Sequence, residues 1–396
     1  MIPPLRVSRL SVALLTAVLG CTLVVTGCDS AAGPPRPAAR GLEVAWTYEF
    51  DGDAPTHSPV VVGDSLVLVS GDAHLTSLRL RDGSVKWRAP VDPEMPLLAD
   101  RVLVDGRHAY GTHYTHRTGE TTIRAWRLDT GTEAWRRTYT GDRLALYEGM
   151  ALGDTYIFLS SDVDGQPAFA LNKRTGAFAF DHHRASVGAH LIGHDDGTLY
   201  ARTTWVEESG PPQVQRNESR IVALRDDRPD SLWTFATAEG GLYLDPIIRE
   251  GVMYVGLSTS NSAPGLTYLA VDLATRAVRW RARDVGAAAH LVADGRVYVR
   301  EGNARLVALD AASGHVLWRT EPASAHTSPS PHHLLDGSLY YPHYDGLRVI
   351  GAESGELLHV EPPRYGYLWE AAVGHGTVVA QYSGAIVAYR PYRGRR

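Results

Sequence analysis

Only two cysteines occur in 396 residues, and both lie near the start, at Cys21 and Cys28. No disulfide framework can therefore hold the rest of the chain. Positive charge is also scarce. Lys and Arg number 39 against 44 Asp and Glu, a net charge of −5. That excludes the strongly basic face of a nucleic-acid binder. The one basic cluster, Arg393-Gly394-Arg395-Arg396, reads as a solvated tail. No helical period of useful length follows the first 28 residues, so no phosphate-cradling helix N-terminus is available. The zinc motif HExxH is absent for the same reason. His113-x-x-His116, His182-His183 and His332-His333 have neither cysteine partners nor a helix, and no Ser-His-Asp order stands out among the 17 histidines. Hydrophobic residues make up 44%. That is enough for a sizeable core, so stability has to come from packing and sheet hydrogen bonds.

The first residues read as an export signal. Arg6 and Arg9 precede a mostly apolar run, Leu10 to Val25, which is short of the roughly 20 residues that span a bilayer. Val25-Thr26-Gly27-Cys28 resembles the bacterial lipobox, whose cysteine takes a diacylglycerol and becomes the new N-terminus. Asp29 to Gly41, DSAAGPPRPAARG, has the composition of a flexible spacer. With residues 1–27 removed, 37 basic residues face 44 acidic ones, the charge becomes −7, and Cys28 is the sole cysteine. Several acyl chains on one residue give stable anchoring, where a single chain binds marginally. Asp29 resembles an inner-membrane retention signal, which leaves the choice of membrane or cell surface open.

What fills the chain instead is a repeat. One copy runs Gly295-Arg296-Val297-Tyr298-Val299, then Leu306-Val307-Ala308-Leu309-Asp310, then Ser313-Gly314-His315-Val316-Leu317-Trp318. The tryptophan-type positions are Trp46, Trp87, Trp135, Phe178, Trp233, Trp280, Trp318 and Leu358, with gaps of 41, 48, 43, 55, 47, 38 and 40 residues. About 40–45 residues is the period of a four-stranded propeller blade. Inside each unit apolar residues alternate with a period of two between Gly/Asp turns, so the units are strands. The last unit runs out after three strands, and Val44-Ala45-Trp46-Thr47-Tyr48 is a fourth strand with no preceding three. The expectation is an all-β, eight-bladed β-propeller in which that N-terminal strand closes the last blade; seven blades is the alternative, because Phe178 and Leu358 are weak matches. The organisation is then signal peptide 1–27, lipidated tether 28–42, a single propeller 43–390 and tail 391–396.

The phrase Val307-Ala308-Leu309-Asp310-Ala311-Ala312-Ser313-Gly314-His315-Val316-Leu317-Trp318 resembles the PQQ-type propeller repeat, ALD-x-x-TG-x-x-x-W. The resemblance implies that Trp46, Trp87, Trp135, Trp233, Trp280 and Trp318 dock each blade on the next. Signal, tether and about eight such blades together resemble the BamB-type lipoproteins of outer-membrane β-barrel assembly. That family implies a non-catalytic envelope scaffold, monomeric by itself, facing the periplasm or cell exterior and bound to a barrel-assembly partner. Quinoprotein dehydrogenases share the repeat, but commonly carry a vicinal cysteine pair and a calcium-binding carboxylate set. No vicinal cysteines exist here, so no pyrroloquinoline quinone (PQQ) is expected and an oxidoreductase is the weakest reading.

Strand alternation puts the connections on two faces. Turns between first and second strands, and between third and fourth, share one face and are tight: Gly63-Asp64, Asp105-Gly106, Asp294-Gly295, Asp336-Gly337. The other face is expected to carry long, varied loops, including 113–117, 205–212, 258–264 and 341–344. Function sits on variable loops held by a rigid scaffold, and Tyr and Trp anchor interfaces. Tyr114, Trp205, Tyr344, Tyr365 and Tyr367 are accordingly the partner-binding candidates, though scattered surface aromatics would look the same. His57, Glu148, His190, Asp245, His290 and Glu370 start successive inner strands and would ring the channel mouth. A sensor binding a carbohydrate or other small polar ligand there is the second functional reading; no metal is assigned. Wet channel mouths carry such residues in any case.

Overall fold

The computed structural model describes residues 41–394, apart from 51–58, 64–65, 72–73, 92–101, 116–119, 140–148, 161–167, 183–189, 210–213, 229, 237–240, 243–245, 259–265, 286–287, 302–304 and 322–332. Strands, and no helix, make up the regular structure of these residues. They form eight antiparallel sheets, which fits eight blades rather than seven. In chain order blades 1 to 7 span 60–90, 103–139, 149–182, 190–235, 241–283, 288–319 and 333–361; blade 8 spans 368–389 and takes Val44–Glu49 as its fourth strand.

The burial pattern within a blade follows from its place between two neighbours. In blade 6 the second and third strands, Arg296–Glu301 and Arg305–Asp310, bury nearly continuous runs of apolar side chains, as strands covered on both faces do. Fourth strands lie at the rim. Val278–Arg283 in blade 5 alternates, burying Trp280 and Ala282 and exposing Arg279, Arg281 and Arg283, the pattern of a half-covered strand.

Two turn types repeat on one face. Asp196-Gly197, Glu250-Gly251, Asp294-Gly295, Asp336-Gly337 and His375-Gly376 all have positive φ at both residues, the two-residue type I′ hairpin whose twist matches the strands it joins. Between third and fourth strands the chain makes a longer turn in which Gly314 N–H, for example, donates to Asp310 O at 2.8 Å. A β-bulge follows this turn in each of blades 1 to 7, as between Ala308 and Leu309 opposite Val316 to Trp318. A bulge adds one residue and re-aims the side chains beyond it. It leaves Leu317 exposed and turns Trp318 into the seam.

The bulge also corrects two repeat positions. The tryptophan stands four residues after the turn glycine, and the ladder pairs Ala170 with Phe180 and Val349 with His359. Phe180 and His359, not Phe178 and Leu358, therefore occupy the tryptophan position in blades 3 and 7. Phe178 is 55% exposed.

The ring closes through the N-terminal strand. Val44–Glu49 pairs antiparallel with Ala385–Tyr389, from Val44 opposite Tyr389 to Glu49 opposite Ala385, and Arg390 N–H donates to Glu43 O at 2.9 Å. Just before this strand, Leu42 N–H donates to Glu361 Oε2 at 2.9 Å. Glu361 is fully buried, yet its oxygens also receive Arg364 Nη2 at 2.6 Å and Nε at 2.9 Å, and His359 Nε2 lies 3.1 Å away. A buried carboxylate is tolerable only when it is paired this fully.

Candidate functional site

Three regions qualify as candidates: the seams between blades, the loop face, and the channel mouth. At five seams an indole from one blade enters the next. Trp46, Trp87, Trp135, Trp280 and Trp318 each donate Nε1–H to a backbone carbonyl of the following blade, at Leu80, Leu128, Lys173, Ala311 and Ala352, over 2.6–3.1 Å. Each ring lies flat on a turn glycine, respectively Gly83, Gly131, Gly176, Gly314 and Gly355, where an added Cβ would sit 2.5–2.6 Å from the indole Cε3. The glycine thus serves twice, supplying positive φ to the turn and leaving room for the ring. Burying an indole contributes about 4–6 kcal/mol gross by area, and its hydrogen bond about 1 kcal/mol more.

The other three seams are built differently. Trp233 packs among Tyr200, Ile221, Met253 and Leu269, with Tyr200 edge-on at 6.0 Å. Its seat in blade 5 is not glycine: Arg276 stands there, at φ 63°. Trp233 thus packs at the blade 4–5 seam without the glycine seat of the other five indoles. Blade 3 presents Phe180, which has no N–H, to blade 4. Blade 7 presents His359, stacked on Tyr392 at 5.9 Å and 12°.

On the loop face the structure departs from the expected run of long loops. The chain expected to loop at 341–344 is mostly strand: Ser338–His343 pairs with Gly346–Gly351, leaving only Tyr344-Asp345 in the turn. Asp345 holds this turn by receiving Arg348 Nη2 at 2.6 Å and bonding His343 Nδ1. Partial burial pushes its carboxyl up, but the Arg348 and His343 bonds outweigh that and hold it below the usual range. Of the segment expected to loop at 205–212, the described residues 205–209 are strand instead. Thr198–Ser209 and Val214–Arg225 pair over twelve rungs, Trp205 opposite Glu218, with the strand-favouring Thr203, Thr204, Trp205 and Val206 in the same run as Glu207 and Glu208. Tyr114 likewise lies in a strand, His108–Thr115, opposite Thr121.

Among the candidate aromatics, Tyr344 and Tyr367 are 45% and 46% exposed. Tyr365 is partly buried against Tyr382, 6.3 Å between rings, and so offers little surface. Sequence reasoning missed Trp369, 47% exposed, because it opens an inner strand. Its ring meets Tyr367 edge-to-face at 4.8 Å. Ser383 orders the pair by accepting Trp369 Nε1–H at 3.1 Å and donating to Tyr367 O at 3.3 Å. The signal that could have found it is the run Tyr365 to Trp369, three aromatics in five residues next to a turn.

At the channel mouth His57, Glu148 and Asp245 lie outside the described residues, as does Cys28. His190 opens the first strand of blade 4, opposite Arg202. His290 falls inside Ala288–Ala293 rather than at its start, and Glu370 is third in Leu368–Gly374. Three of the six candidate mouth residues thus lie among the described residues, all in first strands of their blades.

Comparison with known proteins decides the family. The sequence pattern described as "Outer membrane protein assembly factor BamB" matches residues 38–143 and 265–396, more than half of the chain. The chain belongs to the BamB family. The outer membrane protein assembly factor BamB of Yersinia pestis is 24% identical over 375 residues, covering 89% of this chain and 87% of that one. Among solved structures, BamB from Moraxella catarrhalis superposes with a TM-score of 0.64 at 14% identity, covering 88% of this chain and all of that one. Quinohemoprotein alcohol dehydrogenase from Comamonas testosteroni reaches 0.63 at 13%, covering 90% and 78%. At such identities the two structures establish the fold alone, so the dehydrogenase brings no activity to this BamB-family chain. Residues 144–264, which the family pattern leaves unmatched, hold blades 3 and 4 and the start of blade 5.

Proposed function

We propose that this BamB-family chain is a non-catalytic lipoprotein of the cell envelope that binds a component of outer-membrane β-barrel assembly through its loop face. The observation that carries the reading is the Tyr367–Trp369 pair. Two large aromatics stand about half exposed, yet Ser383 holds them in place. Pre-ordered Tyr and Trp lose little freedom on docking, which is what makes them interface anchors. Tyr344 adds a third on the same face. Lipidation at Cys28 would hold the propeller at a membrane, and Cys28→Ala is expected to move the protein into the soluble fraction.

No reaction is assigned. The seam indoles are committed to packing, and Cys21 and Cys28 are seven residues apart, so the vicinal pair of the quinone enzymes cannot form. PQQ is accordingly not assigned to this chain. The test is affinity capture with the full-length protein from detergent-solubilised envelopes. The expected result is co-purification of an integral barrel protein, reduced at least tenfold by combined Tyr367→Ala and Trp369→Ala, since an anchor contributes about 2 kcal/mol or more. Capture that is absent, or indifferent to the double substitution, overturns the reading.

A further inference from the structure

The eight blades serve as controls for one another, and three departures from the repeat coincide at the seam between blades 3 and 4. The second residue before the first turn is aliphatic in blades 2, 3, 5, 6, 7 and 8, as Val104, Leu152, Ile248, Val292, Leu334 and Val373. In blade 4 it is His194, opposite Leu199. The residue whose carbonyl receives the indole is Leu80, Leu128, Lys173, Ala311 or Ala352 at the five seated seams. In blade 4 it is Asp226, whose N–H keeps the repeat's own bond to Gly197 O. The ring arriving from blade 3 is Phe180, which has no N–H to give.

These substitutions bring ligands together. His194 Nε2 lies 2.8 Å from Asp226 Oδ2, with side chains 10% and 18% exposed. A carboxylate oxygen of Asp154, on the first turn of blade 3, lies within 4.8 Å of both.

We propose that Asp154, His194 and Asp226 bind a divalent transition-metal ion of the zinc type, linking blade 3 to blade 4 where no indole does. One imidazole and two carboxylates form a nitrogen–oxygen donor set suited to zinc, with water in the fourth position. Ligand bonds of about 2.0–2.2 Å put tetrahedral donor atoms about 3.3 Å apart. The His194–Asp226 pair would open by about half an ångström to admit the ion, and Asp154, exposed on its turn, would close in. The three residues come from three elements and two blades, so the ion would stiffen the seam as a cross-link.

The experiment is zinc titration of the detergent-purified full-length protein against a chromogenic chelator, alongside thermal melting with and without zinc. The expected result is one zinc ion per chain and a rise in melting temperature, with affinity falling tenfold or more in His194→Ala and in Asp154→Asn. The second variant changes only an exposed turn residue, so it answers even if the first fails to fold. No zinc uptake overturns the proposal, leaving an ordinary His–Asp hydrogen bond. Uptake that Asp154→Asn and a folded His194→Ala leave unchanged overturns it too, because the ion then sits elsewhere.

Discussion

Blades 5, 6 and 7 and blades 3, 4 and 5 solve the same packing problem with different parts. Across the first set, Trp280 and Trp318 donate to Ala311 O and Ala352 O and lie on Gly314 and Gly355. Across the second, Phe180 carries no donor, and Trp233 meets Arg276 where the repeat has glycine. The strand ladders are alike in both sets, down to the bulge after the third-strand turn. Sheet formation therefore does not depend on the indole seat; the seat governs how firmly one finished sheet holds the next. Phe180 and Trp233 fall in residues 144–264, which the family pattern leaves unmatched, while the seat residue Arg276 lies in the matched stretch beyond. The twelve-rung ribbon and the Asp154–His194–Asp226 cluster lie in the unmatched stretch.

The largest expected effect is loss of a seated ring. Trp280→Ala should cost about 3–5 kcal/mol, the range for emptying a buried indole site. Trp233→Ala should cost roughly half as much, since a partly exposed ring gives up less buried area. Chemical denaturation of both variants measures the difference, and equal costs would break the distinction between the two kinds of seam. Next is the closing seam, where a carboxylate replaces the indole device. Glu361→Ala leaves Arg364 and Leu42 N–H without their partner and should cost about 3 kcal/mol. Limited proteolysis should then cut first near residue 42.

A smaller effect separates the two tasks of the seat glycine. Gly314→Ala puts a methyl 2.5 Å from Trp280 in a turn at φ 74°, whereas Gly295→Ala meets open space at φ 70°. Both bear the backbone cost of about 1 kcal/mol; only the first adds overpacking, about 1–3 kcal/mol more. The converse change, Arg276→Gly, relieves a strained backbone and should stabilise by up to about 1 kcal/mol. A loss there instead would mean that the arginine side chain supports its seam.

How much of this was legible depends on whether the signal is local. Asp-Gly turns, strand alternation and the orphan strand at Val44 are local, and they led to the sheets and to the closure between chain ends. Phe180 and His359 were not found, because a bulge shifts the ring position within a run where Phe178 and Leu358 look as good. Residues 205–209, expected to be loop, are mostly polar, and polarity reports burial rather than pairing. Tyr365 and Trp369 exchanged roles because exposure is decided by Tyr382 and Ser383, which come later in the chain. The His194 cluster joins residues 40 and 32 positions apart, each unremarkable alone. Only aligning the blades shows that an aliphatic site has become histidine.

The smallest effect concerns the turn that presents the seat. Asp310 accepts the Ser313 hydroxyl at 2.6 Å and its N–H at 2.8 Å, and the hydroxyl bond chiefly holds the carboxyl below its usual range. At the equivalent place blade 4 has Arg225, which cannot accept such bonds, and blade 3 has Asn172, which accepts them without titrating. A carboxylate depressed in the folded state adds stability above its unfolded pKa, about 3.9, and loses it as pH falls through the folded value. Asp310→Asn should therefore melt about 1 °C below the native protein at pH 7, a small shift because the site is solvent-screened. The gap should close as pH drops below about 4. A gap that persists at pH 2 would mean that Asp310 acts through shape alone, and that the charged turn adds nothing to the seated seams.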